Sequence, residues 1–152
     1  MSIDVLQAKI RKTKNPSMIC IAPSVLELPM PIKDAARAQY GDALRAAAES
    51  YRQFSFDILD ALKDVVPAVS IVSGAFAALG SDGVAAMEDV LARARELGFY
   101  VLLDLMRADV ALNAEAMARA CFGGIQVGEK TFTPYACDGV LMTGYLGSDS
   151  VK

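Results

Sequence analysis

A chain of 152 residues suits one domain and can bury roughly two-thirds of its unfolded surface. With 54% hydrophobic and 22% charged residues it is globular, and a formal net charge of −3 speaks against nucleic-acid or anionic-membrane surfaces, which need a basic patch. The absence of histidine excludes Ser-His-Asp and Cys-His nucleophile systems, HExxH zinc sites and histidine bases. Any chemistry must therefore run on carboxylates, lysines or a partner's residues.

Residues 3–12 (IDVLQAKIRK) predict a short amphipathic lead-in helix, with Lys9, Arg11, Lys12 and Lys14 on its solvated face. Asn15-Pro16 breaks it. Ser17–Ala22 is a continuous apolar run closed by Pro23, the pattern of a strand buried on both faces. Val25–Pro31 reads as a loop. A helix is predicted from about Lys33, with the stripe Leu44, Ala48, Tyr51, Ser55, Ile58, Leu59 and Leu62 at i, i+3/i+4 spacing. Pro67 introduces a second strand over Ala68–Val72.

Gly80-Ser81-Asp82 then opens a helix with the inner face Val84, Met87, Leu91, Ala94 and Leu97, and Gly98 stands where a C-terminal cap belongs. Phe99–Leu105 is the clearest strand. Residues 110–121 form a further helix, residues 123–134 a polar excursion read as a small hairpin or an insertion, and Asp138–Thr143 a fourth strand. Residues 144–152 are loop.

Strand–helix alternation with doubly buried strands implies a parallel sheet with right-handed crossovers. Composition does not separate an open doubly wound sheet from a (β/α)₈ barrel. Neither GxxxxGK[ST] nor GxGxxG follows the first strand, so P-loop and Rossmann forms lose support. A full barrel needs about 250 residues; four strands are half of it.

No apolar run reaches the roughly 18 residues of a membrane span, and the N-terminus lacks a signal-peptide core. Cys20, Cys121 and Cys137 are an odd, widely spaced set without a CxxC pair, expected as buried free thiols in a reducing compartment, the cytoplasm.

Two stretches carry a resemblance. DLMRADVALNAEAMARACF at the third strand resembles DxKRGDIGxT and its alanine-rich helix, and CDGVLMTGYLGSDSVK at the fourth resembles DAVTVNPYLGxDSVKPF. Upstream, ICIAP is similar to VGLDP and SIVSGAFAALGSDG to KPQxAFFExxGxxG. These are motifs of the orotidine 5′-monophosphate decarboxylase family, in order from about residue 17 to residue 152, and most like its longer bacterial type. The resemblance implies the N-terminal half of a TIM barrel: a (β/α) fold with about four parallel strands, forming one domain over residues 1–152. It also implies a place in pyrimidine (UMP) biosynthesis, where the family decarboxylates orotidine 5′-monophosphate without a cofactor. The family's site is an array of lysines and aspartates at the C-terminal strand ends, completed across a dimer interface.

Residue by residue, the resemblance keeps few of these groups. The first-strand aspartate falls on Ala22, the second-strand lysine on Ser70 and that motif's glutamate on Ala77. Asp104 keeps the third-strand aspartate, and Asp109 the aspartate lent to the neighbouring subunit. The proton-donating lysine is Met106, beside Arg107, which matches the family arginine. Asn113 replaces the threonine that touches the ribose, a substrate-binding position. The family's phosphate grip follows later strands. No metal site is expected.

Loss of CO₂ leaves charge at C6 of the pyrimidine, which a nearby ammonium stabilises and then protonates. A thioether does neither. Arg107 is no substitute: its guanidinium is a very weak acid, and alternation sends adjacent strand side chains to opposite faces. Plainer readings stand beside these roles. Asp104 also reads as a strand end capping loop amides, Asp109 as a helix N-cap, Arg107 as part of an ion pair, and Met87, Met106, Met117 and Met142 as core filling.

Three functions remain open. The first is a non-catalytic or fragmentary relative that keeps the half-barrel; the second an active lyase completed by a partner chain; the third a weak module for UMP-like nucleotides. Open strand edges and an uncovered apolar inner face predict an unstable monomer that pairs with itself, as a homo-oligomer, or with a C-terminal half-barrel companion.

Overall fold

The computed structural model describes residues 2–105, 107, 110–145 and 147–148. Its elements run α1 (Ser2–Thr13), β1 (Met18–Ile21), α2 (Met30–Tyr40), α3 (Leu44–Leu62), β2 (Ala68–Val72), α4 (Ser73–Ala77), α5 (Gly80–Glu96) and β3 (Tyr100–Asp104). Then follow α6 (Ala111–Ala118), a π-helical turn (Arg119–Gly123), the strands β4 (Ile125–Val127) and β5 (Lys130–Phe132), and β6 (Gly139–Leu141). The main sheet has four strands in the order β1-β2-β3-β6, each pair parallel.

That order separates the two forms that composition left open. A doubly wound sheet reverses strand order at a switch point and carries helices on both faces, whereas here each new strand is added on the same side. The register gives two faces. Ile21, Val69, Ile71, Val101 and Leu103 point one way, are nearly inaccessible and join one core with Leu59, Phe76, Val90, Leu91 and Ala94 of the helices. The other face is mixed: Ala68, Ser70 and Tyr100 on it are buried and Leu102 half-buried, while Met18 at 45%, Leu141 at 40% and Cys20 are exposed. Helices on one side of a sequentially ordered parallel sheet make half of a (β/α) barrel, as expected.

The exposure of Met18 and Cys20 corrects the expectation that β1 is buried on both sides. Its residues alternate between the helix layer and the inner face, and across that inner face no opposing strand exists among the described residues. The same geometry corrects the buried reading of Cys20, while Cys121 and Cys137 are buried as expected.

A helix from Lys33 is expected; two helices stand in its place. The first begins at Met30, with Pro31 in its opening turn where a missing N–H costs nothing. It ends at Gly41, whose φ of 69° breaks the helical path. Leu44 then opens α3 in an exposed position, so the buried stripe runs Ala48, Tyr51, Ser55 and Leu59. Ser50 and Ser55 on this face return their hydroxyls to the carbonyls of Ala46 and Tyr51 at 2.8 and 2.7 Å, which satisfies them without water.

Helix α5 starts at Gly80 as expected, but its buried face is Gly83, Ala86, Met87, Val90, Leu91 and Ala94, with Val84 and Leu97 only half-buried. Its end is a complete Schellman cap. Gly98 has φ 83°, its N–H bonds Arg95 O at 2.9 Å, and the Phe99 N–H bonds Ala94 O at 3.1 Å. Residues 123–134 contain the antiparallel β4–β5 hairpin, one of the two forms expected there.

Helix α1 buries none of its residues. Polar tethers near its two ends hold it, and each falls just before a strand. Ser2 Oγ donates to Asp138 O at 2.7 Å and lies 2.6 Å from the Tyr100 hydroxyl. Lys9 Nζ donates to Gly98 O, and Asn15, just past the helix, donates to Val65 O at 2.8 Å. The lead-in helix therefore lies across the N-terminal end of the half-barrel and leaves the C-terminal strand ends clear.

Candidate functional site

The C-terminal strand ends bring Val72, Asp104 and Leu141 into one row by register. Parallel pairing between β3 and β6 continues beyond the strands: the Leu105 N–H bonds Leu141 O at 3.1 Å, and the Thr143 N–H bonds Arg107 O at 2.9 Å. The chain segment after Asp104 thus stays pinned to the segment after Leu141. In barrels this end of the sheet carries the chemistry.

Asp104 is the ionisable group best placed there. It shares the inner face with Ser70 and Leu102, while its backbone carbonyl accepts the Ser73 hydroxyl at 2.8 Å. Its Oδ1 is buried and has no hydrogen-bond partner among the described residues. That oxygen caps no amide of a described residue. A buried carboxylate oxygen without a donor is costly, and such atoms concentrate where a further group is meant to meet them. Ser73, which ties β2 to the end of β3, carries no sequence signal of its own.

Ser70 is the residue that the resemblance sets against the family's second-strand lysine. It is fully enclosed on the inner face of β2, paired in register with Cys20 and Leu102. Ala22 and Ala77, which stand for the missing aspartate and glutamate, are both exposed. Asn113 is exposed in the first turn of α6, its N–H bonded to Val110 O at 2.9 Å. The N-cap of α6 is Val110, without a side-chain cap. Met106 and Asp109 lie outside the described residues, so the structure brings together Asp104, Ser70 and Ser73 but does not place those two.

Away from this end, a cavity of about 440 Å³ opens between the β1–α2 connection and α3, lined among others by Lys33, Arg37, Ser50 and Leu79. Arg37 is paired with Asp42 at 3.4 Å, and Lys33 Nζ donates to Val25 O at 3.3 Å, so both cations are engaged by the chain itself. Neither Asp104 nor Asn113 lines it. Among the described residues no group of three His, Cys, Asp or Glu side chains lies close enough to hold a metal. No helix there is long and apolar enough to cross a membrane.

No protein-family model matches the chain. It is 31% identical over 147 residues to the orotidine 5′-phosphate decarboxylase of Rhodopirellula baltica, covering 97% of this chain and 47% of that protein. It is 33% identical over 139 residues to that of Roseiflexus sp., covering 91% and 43%. Among solved structures, the orotidine 5′-monophosphate decarboxylase of Leishmania donovani superposes with a TM-score of 0.70 at 18% identity, covering 99% of this chain and 47% of that one. A Toxoplasma gondii protein assigned to the same activity superposes at 0.74 with 24% identity, covering 97% and 43%. These two structures establish the fold. The chain spans about half the length of the relatives it matches. By sequence and by fold together, it belongs with the orotidine 5′-phosphate decarboxylases as a half-length relative.

Proposed function

We propose that this chain is a half-barrel scaffold of the orotidine 5′-monophosphate decarboxylase kind that does not carry out the decarboxylation by itself. One observation carries the reading: among the described residues the strand ends offer the carboxylate of Asp104 but no ammonium. The second-strand lysine position is the enclosed hydroxyl of Ser70, and the third-strand one is Met106. Departure of CO₂ leaves an electron pair on a ring carbon that delocalises it poorly, so the barrier falls only if a positive group waits beside it. Removing one donor of this sort typically costs roughly 3–4 kcal/mol, and here two are gone. Asp104 alone adds negative charge where negative charge develops.

The remaining strands come from a companion half-barrel or a second copy of the chain, in a reducing, cytoplasmic compartment. A second reading, an active lyase completed by a partner, is favoured by the unpartnered Oδ1 of Asp104, which is placed to accept from an ammonium brought by another chain. Absorbance of orotidine 5′-monophosphate distinguishes the two. The chain alone is expected to leave it unchanged. Turnover that appears only on adding a polypeptide with the missing strands favours the second reading, and turnover by the chain alone contradicts the first.

A further inference from the structure

The cavity beside α3 has no part in the strand-end site, since neither Asp104 nor Asn113 lines it. Its volume of about 440 Å³ falls within the usual span of small-ligand pockets, roughly 300–1,000 Å³. Its lining divides by chemistry. Val25, Leu44, Ala47 and Leu79 supply apolar surface. Ser50 lies among them, but its hydroxyl donates to Ala46 O at 2.8 Å, so its proton is spent within α3. The charged groups are Lys33 and Arg37, one turn apart on α2, and Asp42.

Both cations keep donors in reserve. Among the described residues Lys33 Nζ makes one hydrogen bond, at 3.3 Å to Val25 O, of the three that an ammonium can donate. Arg37 meets Asp42 at 3.4 Å, and the Asp42 side chain is 91% exposed. An ion pair so open to water holds weakly, and its carboxylate can turn into solvent. Two cations against one anion leave one net positive charge in the lining. The first turn of α3 forms part of the same wall, and its N-cap Ala43 brings no side-chain oxygen to the amides there, which adds to the positive field.

We propose that this cavity binds a small organic carboxylate, its head between Lys33 and Arg37 and its apolar body against Val25, Leu44 and Ala47. A carboxylate offers two coplanar acceptors, which match the guanidinium fork. One net positive charge suits a monoanion, whereas a phosphate monoester carries nearly two negative charges. The body takes its share of affinity from covering Leu44 and Val25, which are 59% and 36% exposed.

Titration of the full, isotope-labelled chain with sodium octanoate, followed by amide chemical shifts, tests this. Saturable shifts are expected around the cavity, at Arg37, Leu44 and Ala47 among others, and acetate at equal concentration should produce much smaller ones. Replacing both cations, Lys33→Gln with Arg37→Gln, should weaken octanoate roughly tenfold, the size expected from two partly exposed charge pairs. Ala47→Leu, which fills the cavity and keeps both charges, should weaken it as well and gives a separate reading if the double variant does not fold. An affinity that neither variant changes overturns the proposal. So do the absence of saturation, acetate shifts equal to those of octanoate, or shifts confined to the inner sheet face at Cys20, Ser70 and Leu102.

Discussion

Gly83 is the sharpest place to test the packing. A Cβ built there would lie 1.9 Å from Phe76 O and 2.8 Å from the Leu79 Cβ. Ordinary contact requires the α4 backbone to retreat by at least about 1 Å. Phe76 is wholly enclosed and stacks edge-on against Tyr51 at a centroid distance of 5.8 Å, so the retreat disturbs the centre of the core. Helix propensity alone favours Gly→Ala by about 1 kcal/mol. Overpacking of this kind costs about 1–3 kcal/mol, and disturbing an aromatic pair a further 0.5–1.5 or so. The net for Gly83→Ala is a loss of roughly 1–3 kcal/mol.

Gly74, in α4, has open space at the same position and an ordinary φ. Gly74→Ala is therefore expected to gain roughly 0.5–1 kcal/mol. Urea unfolding followed by circular dichroism, at one protein concentration, should move the two midpoints in opposite directions. A Gly83→Ala midpoint at or above that of the unsubstituted chain refutes the close approach of α4 and α5.

Leu59 is wholly buried between α3 and the sheet layer, so Leu59→Ala should lower stability by about 2–5 kcal/mol in the same urea assay. Asp138→Ala removes the acceptor of the Val101 N–H, costing about 1–3 kcal/mol; hydrogen exchange at the Val101 amide should rise selectively. Addition of UMP is expected to leave the melting temperature of the chain unchanged. A concentration-dependent rise would instead support the nucleotide-binding module, because a ligand that binds only the folded state raises its stability.

Much of the fold was legible in the sequence because its signals are local. An apolar run closed by Pro23 placed β1, a run opened by Pro67 placed β2, and Gly98 marked the end of α5, where the structure gives it a left-handed φ. The division of α2 from α3 was not legible, since the predicted apolar stripe begins only at Leu44 and the break rests on Gly41. Exposure of β1 was illegible for a different reason. Met18 and Cys20 look like core residues in a run of apolar neighbours, and their exposure follows from what is missing across the inner face.

At the site, the expectations for Asp104 and Ser70 rest on the family resemblance alone. The orphaned oxygen of Asp104 and the Ser73 contact depend on the pairing of β2 with β3, which no local pattern encodes.

Among the described residues the four-stranded sheet ends at β1 and β6, and Met18 and Leu141 on its inner face are exposed, the features that promote association. Static light scattering of the purified chain at micromolar concentration, with an apolar-surface dye alongside, tests this directly. The half-barrel account predicts a dimer or larger species, or a dye-binding monomer. A monomer that binds no dye contradicts it.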